Sequence, residues 1–223
     1  MPETNIVIPA PNIQTMQLEI ASVSPIIFHK WSEKAKEMIR AKQAKRVKQP
    51  HGVRNPIEEY LASFYYDQEG YICFPALAIK QAVVGAARSI EGLKMTMIRG
   101  AIFIKGDQDG LVRVLIDGKP FKPAKKPEMA NGEKGENVFA YDPKTSQVIL
   151  REDMVRVGMG SADLRYRGAV RNWSMALVIR FNADLFSPEQ IANLIQTAGF
   201  SQGLGEWRPE RDGDSGTFEV KSS

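Results

Sequence analysis

Apolar and polar residues largely alternate along Met16–Ile27, MQLEIASVSPII, which predicts a β-strand ending near Ser24 and Pro25. The period then changes. Trp31, Ala35, Met38, Ile39 and Lys42 recur at helical spacing up to Val47, with Lys34, Lys36, Arg40, Lys45 and Arg46 on the remaining surface, predicting a basic helix partly detached from the core. The turn-rich segment KQPHGVRNP ends it, and Ile57–Tyr66 reads as a short helical or mixed segment closed by Asp67–Gly70. A cleaner helix follows. Pro75 suits a first helical position, Ala76, Ile79, Val83, Ala86 or Ala87, and Ile90 form an apolar stripe, and Gly92 closes the helix at about Glu91. The same spacing sets Lys80, Val84 and Arg88 on another face.

The apolar runs TMIRGAIFIKG and LVRVLIDG, separated by Asp107–Gly110, predict a hairpin between Met95 and Leu115. Residues Lys119–Lys144 lack periodicity and are expected to be a mobile loop. After a short strand at Gln147–Leu150, Arg151–Gly168 reads as a second irregular segment rich in Arg and Gly, and WSMALVIRF at Trp173–Phe181 reads as an interior strand. Ser187, Pro188 and Gln190 mark a capped helix with the stripe Ile191, Leu194, Ile195 and Ala198, ended by Gly199. A glycine loop and a last strand at Thr217–Val220 complete the chain. With the loops set aside the order is close to β-α-β-β-α-β, an α+β plan. One domain over 1–223 is expected, carrying a basic helical insertion at 28–70 and a loop or thumb-like insertion at 119–172.

The length of 223 residues fits that single domain, and 43% hydrophobic with 25% charged residues fits a soluble globular protein. Net charge is only +4, but Lys30–Arg54 holds nine Lys or Arg against two acids, a local +7 that leaves −3 for the rest. One cysteine, Cys73, excludes an intramolecular disulfide framework and a cysteine-rich zinc site within one chain, and two histidines limit His-built metal chemistry. There is no secretory pattern in MPETNIVIPAPNIQ and no apolar run of membrane-spanning length, so a cytoplasmic protein is expected.

The opening strand, the helix introduced by FPALAIKQAVVGAAR, and the C-terminal helix followed by GLGEWRPERDGDSG and a last strand together resemble the RAMP superfamily. Within it, the chain is similar to the RNA-binding backbone subunits of CRISPR effector complexes. That resemblance implies a ferredoxin-like or RRM-like core elaborated by insertions, and subunits that stack as a filament along RNA. It aligns Lys80 and Arg88 with a family Lys and Arg, and Gly203 and Gly205 with the family's glycine-rich loop. PALAIK lacks the family's usual glycine and serines, and Glu206, Asp212 and Asp214 interrupt the terminal loop, so the resemblance implies a divergent relative, with a phage-borne one among the expectations.

Three groups are candidates for nucleic-acid contact. Lys42, Lys45, Arg46, Lys48 and Arg54 supply charge for backbone phosphates, with Lys80 and Arg88 as positioning cations. Gly158, Gly160, Arg165, Tyr166, Arg167 and Arg171 combine close backbone approach, phosphate binding and base stacking, where the family carries a thumb. Gly203, Gly205, Trp207 and Arg208 offer an anion nest and a stacking ring. Each has a plainer reading: a solvated helix, arginines paired with Glu152, Asp153 and Asp163, and a tight turn. His29 and His51 flank the basic stretch without a partner at fixed spacing, while Asp153 and Asp163 are possible ligands of a metal ion. The expectation is a non-enzymatic protein without cofactor, partnered by single-stranded RNA or DNA and by itself or a multisubunit complex, away from membranes. A protein-interaction, phage inhibitor or structural role, and a metal-dependent endonuclease, are the alternatives.

Overall fold

The computed structural model describes residues 8–31, 33–44, 55–123, 147–157 and 161–221. The first strand, β1 (Ile13–Ser22), stops earlier than the alternation predicts, and β2 (Ile26–Ile27) follows a bend at Val23–Pro25. Pro25 has no N–H for a ladder, so the chain leaves one sheet there and enters another. Next come α1 (Glu33–Gln43) and α2 (Pro56–Ala62), the latter capped by Asn55, whose Oδ1 accepts from the amides of Ile57 and Glu58. β3 (Tyr65–Tyr66) and β4 (Ile72–Pro75) lead into α3 (Ala76–Ala86), which a 3-10 turn at Ala87–Ser89 extends. Pro75 is therefore the N-cap rather than the first helical residue.

The expected hairpin at 95–115 is not formed. Ile98 and Ala101, three apart and both buried, lie on one face of α4 (Met95–Ala101), which precedes β5 (Ile102–Lys105). The turn at Asp107–Gly110 is present, but the following β6 (Leu111–Arg113) pairs with β4 while β5 pairs with a later strand at Trp173–Asn182. β7 (Leu115–Ile116) and β8 (Lys119–Pro120) are short. The predicted loop at 119–144 lies mostly outside the described residues. The segment read as irregular is a long hairpin of β9 (Val148–Val157) and β10 (Ser161–Val170), in register from Val148↔Val170 to Val157↔Ser161. Charged residues on its strands conceal the period of two that an apolar face would reveal. β11 (Trp173–Asn182), α5 (Pro188–Ser201) with its Ser187–Gln190 capping box, and β12 (Phe218–Val220) follow as expected.

The main sheet is antiparallel, ordered β12-β1-β11-β7-β8, with β5 also paired to β11. Two smaller sheets are β2-β10-β9 and β3-β4-β6. Trp173, Met175, Leu177, Ile179 and Phe181 of β11 are each at most 1% exposed, and the register places Leu18 and Ile20 of β1 on that same face. Ile79 and Val83 of α3 and Ile191, Leu194 and Ile195 of α5 join this core, each worth about 1.5–3 kcal/mol relative to an exposed side chain. On the other face of the main sheet Thr15, Gln17, Ala176 and Arg180 are exposed.

Candidate nucleic-acid interface

Residues two apart on a strand share a face. The β9–β10 register therefore sets Arg151, Asp153, Asp163, Arg165 and Arg167 on one side of the hairpin. They pair among themselves: Arg151 Nη2 to Asp153 Oδ1 at 2.9 Å, Arg165 Nε to Asp163 Oδ2 at 2.9 Å, and Arg167 Nη1 to Asp153 Oδ2 at 3.4 Å. Arg167 is 6% exposed, and its Nε is buried without a hydrogen-bond partner. Tyr166, expected as a stacking ring, faces the other side and packs into the hydrophobic core at 7% exposure. Arg171, at the bend after β10, has no ion-pair partner among the described residues. Gly158 and Gly160 lie outside them.

The glycine loop closes onto this hairpin's root. Gly203 has φ +65° and Gly205 φ +81°, and a Cβ on Gly205 would sit 2.3 Å from the Ile27 carbonyl oxygen. The amides of Gly203, Leu204 and Glu206, in the loop expected to offer an anion nest, donate to the carbonyls of Ala198, Gly216 and Ile27. Arg208 donates to Glu210 Oε2 through Nε and Nη2 and to the Gly205 carbonyl through Nη1. Arg88 lies 4.0 Å from Glu210. Trp207 remains 43% exposed, at φ +54°.

One pair in this region escaped the sequence. His29 Nδ1 lies 2.6 Å from Glu206 Oε1, joining residues 177 apart. The hydrogen bond from His29 holds the Glu206 carboxyl below its usual range against the opposing effect of burial, helped by the charges of His29, Arg167 and Arg208. No fixed spacing signals such a contact. His51 lies outside the described residues.

A second region gathers at the β5 edge of the main sheet. Lys80 of α3 donates from Nζ to the Arg99 carbonyl at 2.9 Å and lies 3.6 Å from the centroid of the Phe103 ring, and burial lowers its pKa. Lys80 and Arg88 thus reach partners on different elements rather than one common ligand. Phe103 is 50% exposed. Arg180 sits opposite it in the β5–β11 register, with Lys105 opposite Val178. Arg99, Lys105 and Arg180 have no ion-pair partner among the described residues. The sequence reading passed over these residues because the expected hairpin would have paired β5 with β6 instead of β11.

The basic helix is present as α1, and none of its side chains that the structure describes is buried. Lys42 lies within it with its side chain undescribed, and Lys45, Arg46, Lys48 and Arg54 lie outside the described residues. Among the described residues no three His, Cys, Asp or Glu side chains gather as ligands for a metal ion, and Asp153 and Asp163 face arginines. Among them, too, no helix is long and apolar enough to cross a membrane.

No family model matches the chain, and no curated protein does. It is similar in structure to Cmr6 from Pyrococcus furiosus, whose crystal structure aligns with 94% of this chain and 99% of that one at 12% identity and a TM-score of 0.38. A likeness that distant carries no weight on chemistry.

Proposed function

We propose that this protein is a non-catalytic subunit that binds single-stranded nucleic acid, with RNA the expected ligand, through backbone contacts in a filament or multisubunit complex of the kind the sequence resembles. Its core is a ferredoxin-like or RRM-like unit in one domain with insertions at 28–70 and 119–172. Supporting that core, the succession β1, α3, β5, β11, α5, β12 is β-α-β-β-α-β, and its four strands lie in the order fourth, first, third, second.

The observation that carries the function is the +7 concentrated between Lys30 and Arg54, a stretch that includes α1, none of whose described side chains is buried. Charge so placed reaches phosphates without first leaving a core, and its grip is sensitive to salt because counterions are released on binding. Labelled single-stranded RNA and DNA titrated between about 50 and 200 mM salt test it. Replacing Lys45, Arg46, Lys48 and Arg54 with Gln lowers the slope of log affinity against log salt by about 3, at roughly 0.7 per phosphate on a single strand. Wild-type protein with no salt-sensitive binding to either strand type overturns the proposal.

A further inference from the structure

An antiparallel sheet with helices on one face leaves its alternate side chains pointing the other way. On that open face β1 presents Thr15, Gln17 and Glu19, and β11 presents Ala176, Val178 and Arg180. These residues are mostly small or polar, so the surface is low. Beside them, on β5, stand Phe103 and Lys105.

We infer that the β5 edge of this face is a binding site for a single-stranded nucleic acid, with Phe103 stacking on a base and Arg180, Lys105 and Arg99 meeting the flanking phosphates. The inference rests on the nucleic-acid reading above and adds the surface that takes the strand. A half-exposed phenyl ring costs free energy in water and suits any base, because every base has a π-face. Lys80 over the ring brings a further positive charge to the platform. A shallow hollow of about 260 Å³, lined by Ile13, Phe103, Arg180, Phe181 and the backbone at Gly100–Ala101, lies beside it. That is below the roughly 300–1,000 Å³ of pockets that enclose small molecules, which favours a platform for part of a polymer over an enclosed cofactor site.

Charge complementarity selects the occupant. Among the described residues no carboxylate lines the hollow; of the acids on this face, Glu19 is held by Lys221 at 2.7 Å, and Glu219, opposite Ala21 on β12, lies at the other edge of the sheet from β5. Asp107, beyond the end of β5, accepts from the amides of Asp109 and Leu111. Arg180 is the direct cross-strand neighbour of Phe103, and Lys105 is two residues along, about 7 Å away. Base platform and phosphate contacts therefore lie within reach of consecutive nucleotides.

The test compares wild type with Phe103→Ala, Phe103→Trp and Arg180→Gln, using labelled oligouridine and inorganic polyphosphate, a polyanion without bases. Phe103→Ala is expected to weaken oligouridine binding roughly 5- to 150-fold with the salt slope unchanged, while leaving polyphosphate binding alone. Phe103→Trp restores affinity, and its added fluorescence is quenched by oligouridine. Arg180→Gln lowers the salt slope by about 0.7. The inference is overturned if Phe103→Ala binds oligouridine like wild type, if it loses both ligands equally, or if the introduced Trp is not quenched. Wild type that binds neither RNA nor DNA defeats the functional reading itself, a result distinct from all of these.

Discussion

Arginines at the root and along the strands of the β9–β10 hairpin and cations at the β5 edge of the sheet are chemically alike, yet the fold treats them oppositely. Around the hairpin and glycine loop, Arg88, Arg151, Arg165, Arg167 and Arg208 each face a carboxylate within 4.0 Å. At the sheet edge, Arg99, Lys105 and Arg180 face none among the described residues, and an exposed ring stands among them. A cation's availability is decided by what the backbone sets across from it, and counting charges along a chain is blind to that. In the first region five arginines are tied to three carboxylates, Asp153, Asp163 and Glu210, while Arg156 and Arg171 have no ion-pair partner among the described residues. The second leaves its cations without an ion-pair partner among the described residues.

Breaking the Asp153–Arg167 pair has the largest expected effect. Asp153→Ala leaves Arg167 buried beside its other unsatisfied donor, and urea unfolding is expected to show a loss of about 3–5 kcal/mol. Lys105→Gln at the exposed edge should stay within about 0.5 kcal/mol of wild type in the same assay. Equal losses would erase the contrast.

Acid sharpens the comparison at intermediate size. The Glu206 carboxyl titrates lower in the folded chain than its ordinary value, so the stability it contributes is present above the unfolded pKa, about 4.3, and lost as pH falls through the folded value. Glu206→Gln is therefore expected to flatten the acid limb of a stability-versus-pH curve, whereas Arg180→Gln leaves that limb in place. Arg165→Gln is expected to have a small effect. Its pair with Asp163 is part-exposed and worth about 0–1 kcal/mol, and the salt slope of RNA binding should not change. A drop in slope matching that of Arg180→Gln would return the hairpin to the interface.

The strands and helices of the core were legible because each buries one face: β1, β11, α3 and α5 all show their period in the chain, and Ser187 with Gln190 marks a start by direct chemistry. The hairpin was hidden because its ladder carries Arg and Asp where apolar residues would betray the alternation. Its pairs are nonetheless written at a spacing of two, Arg151 with Asp153 and Asp163 with Arg165, a signal that a strand assignment would have exposed. Phe103 was passed over for a different reason. Its importance depends on β5 lying beside β11, some 77 residues on in the Phe103–Arg180 pair, which local patterning does not encode. Glu206 reaching His29 is the same problem at greater range.

The central position of β1 also sets a timetable. Its two neighbours, β11 and β12, come from the last third of the chain, and the bend after it is sewn to residues 214–217 by Ser24 and Pro25. During synthesis β1 therefore waits, unpaired in its final sheet, until residues 173–220 have emerged. Contacts of such long sequence separation slow folding. The basic stretch Lys30–Arg54 is thus synthesised long before the strands that close the sheet around β1.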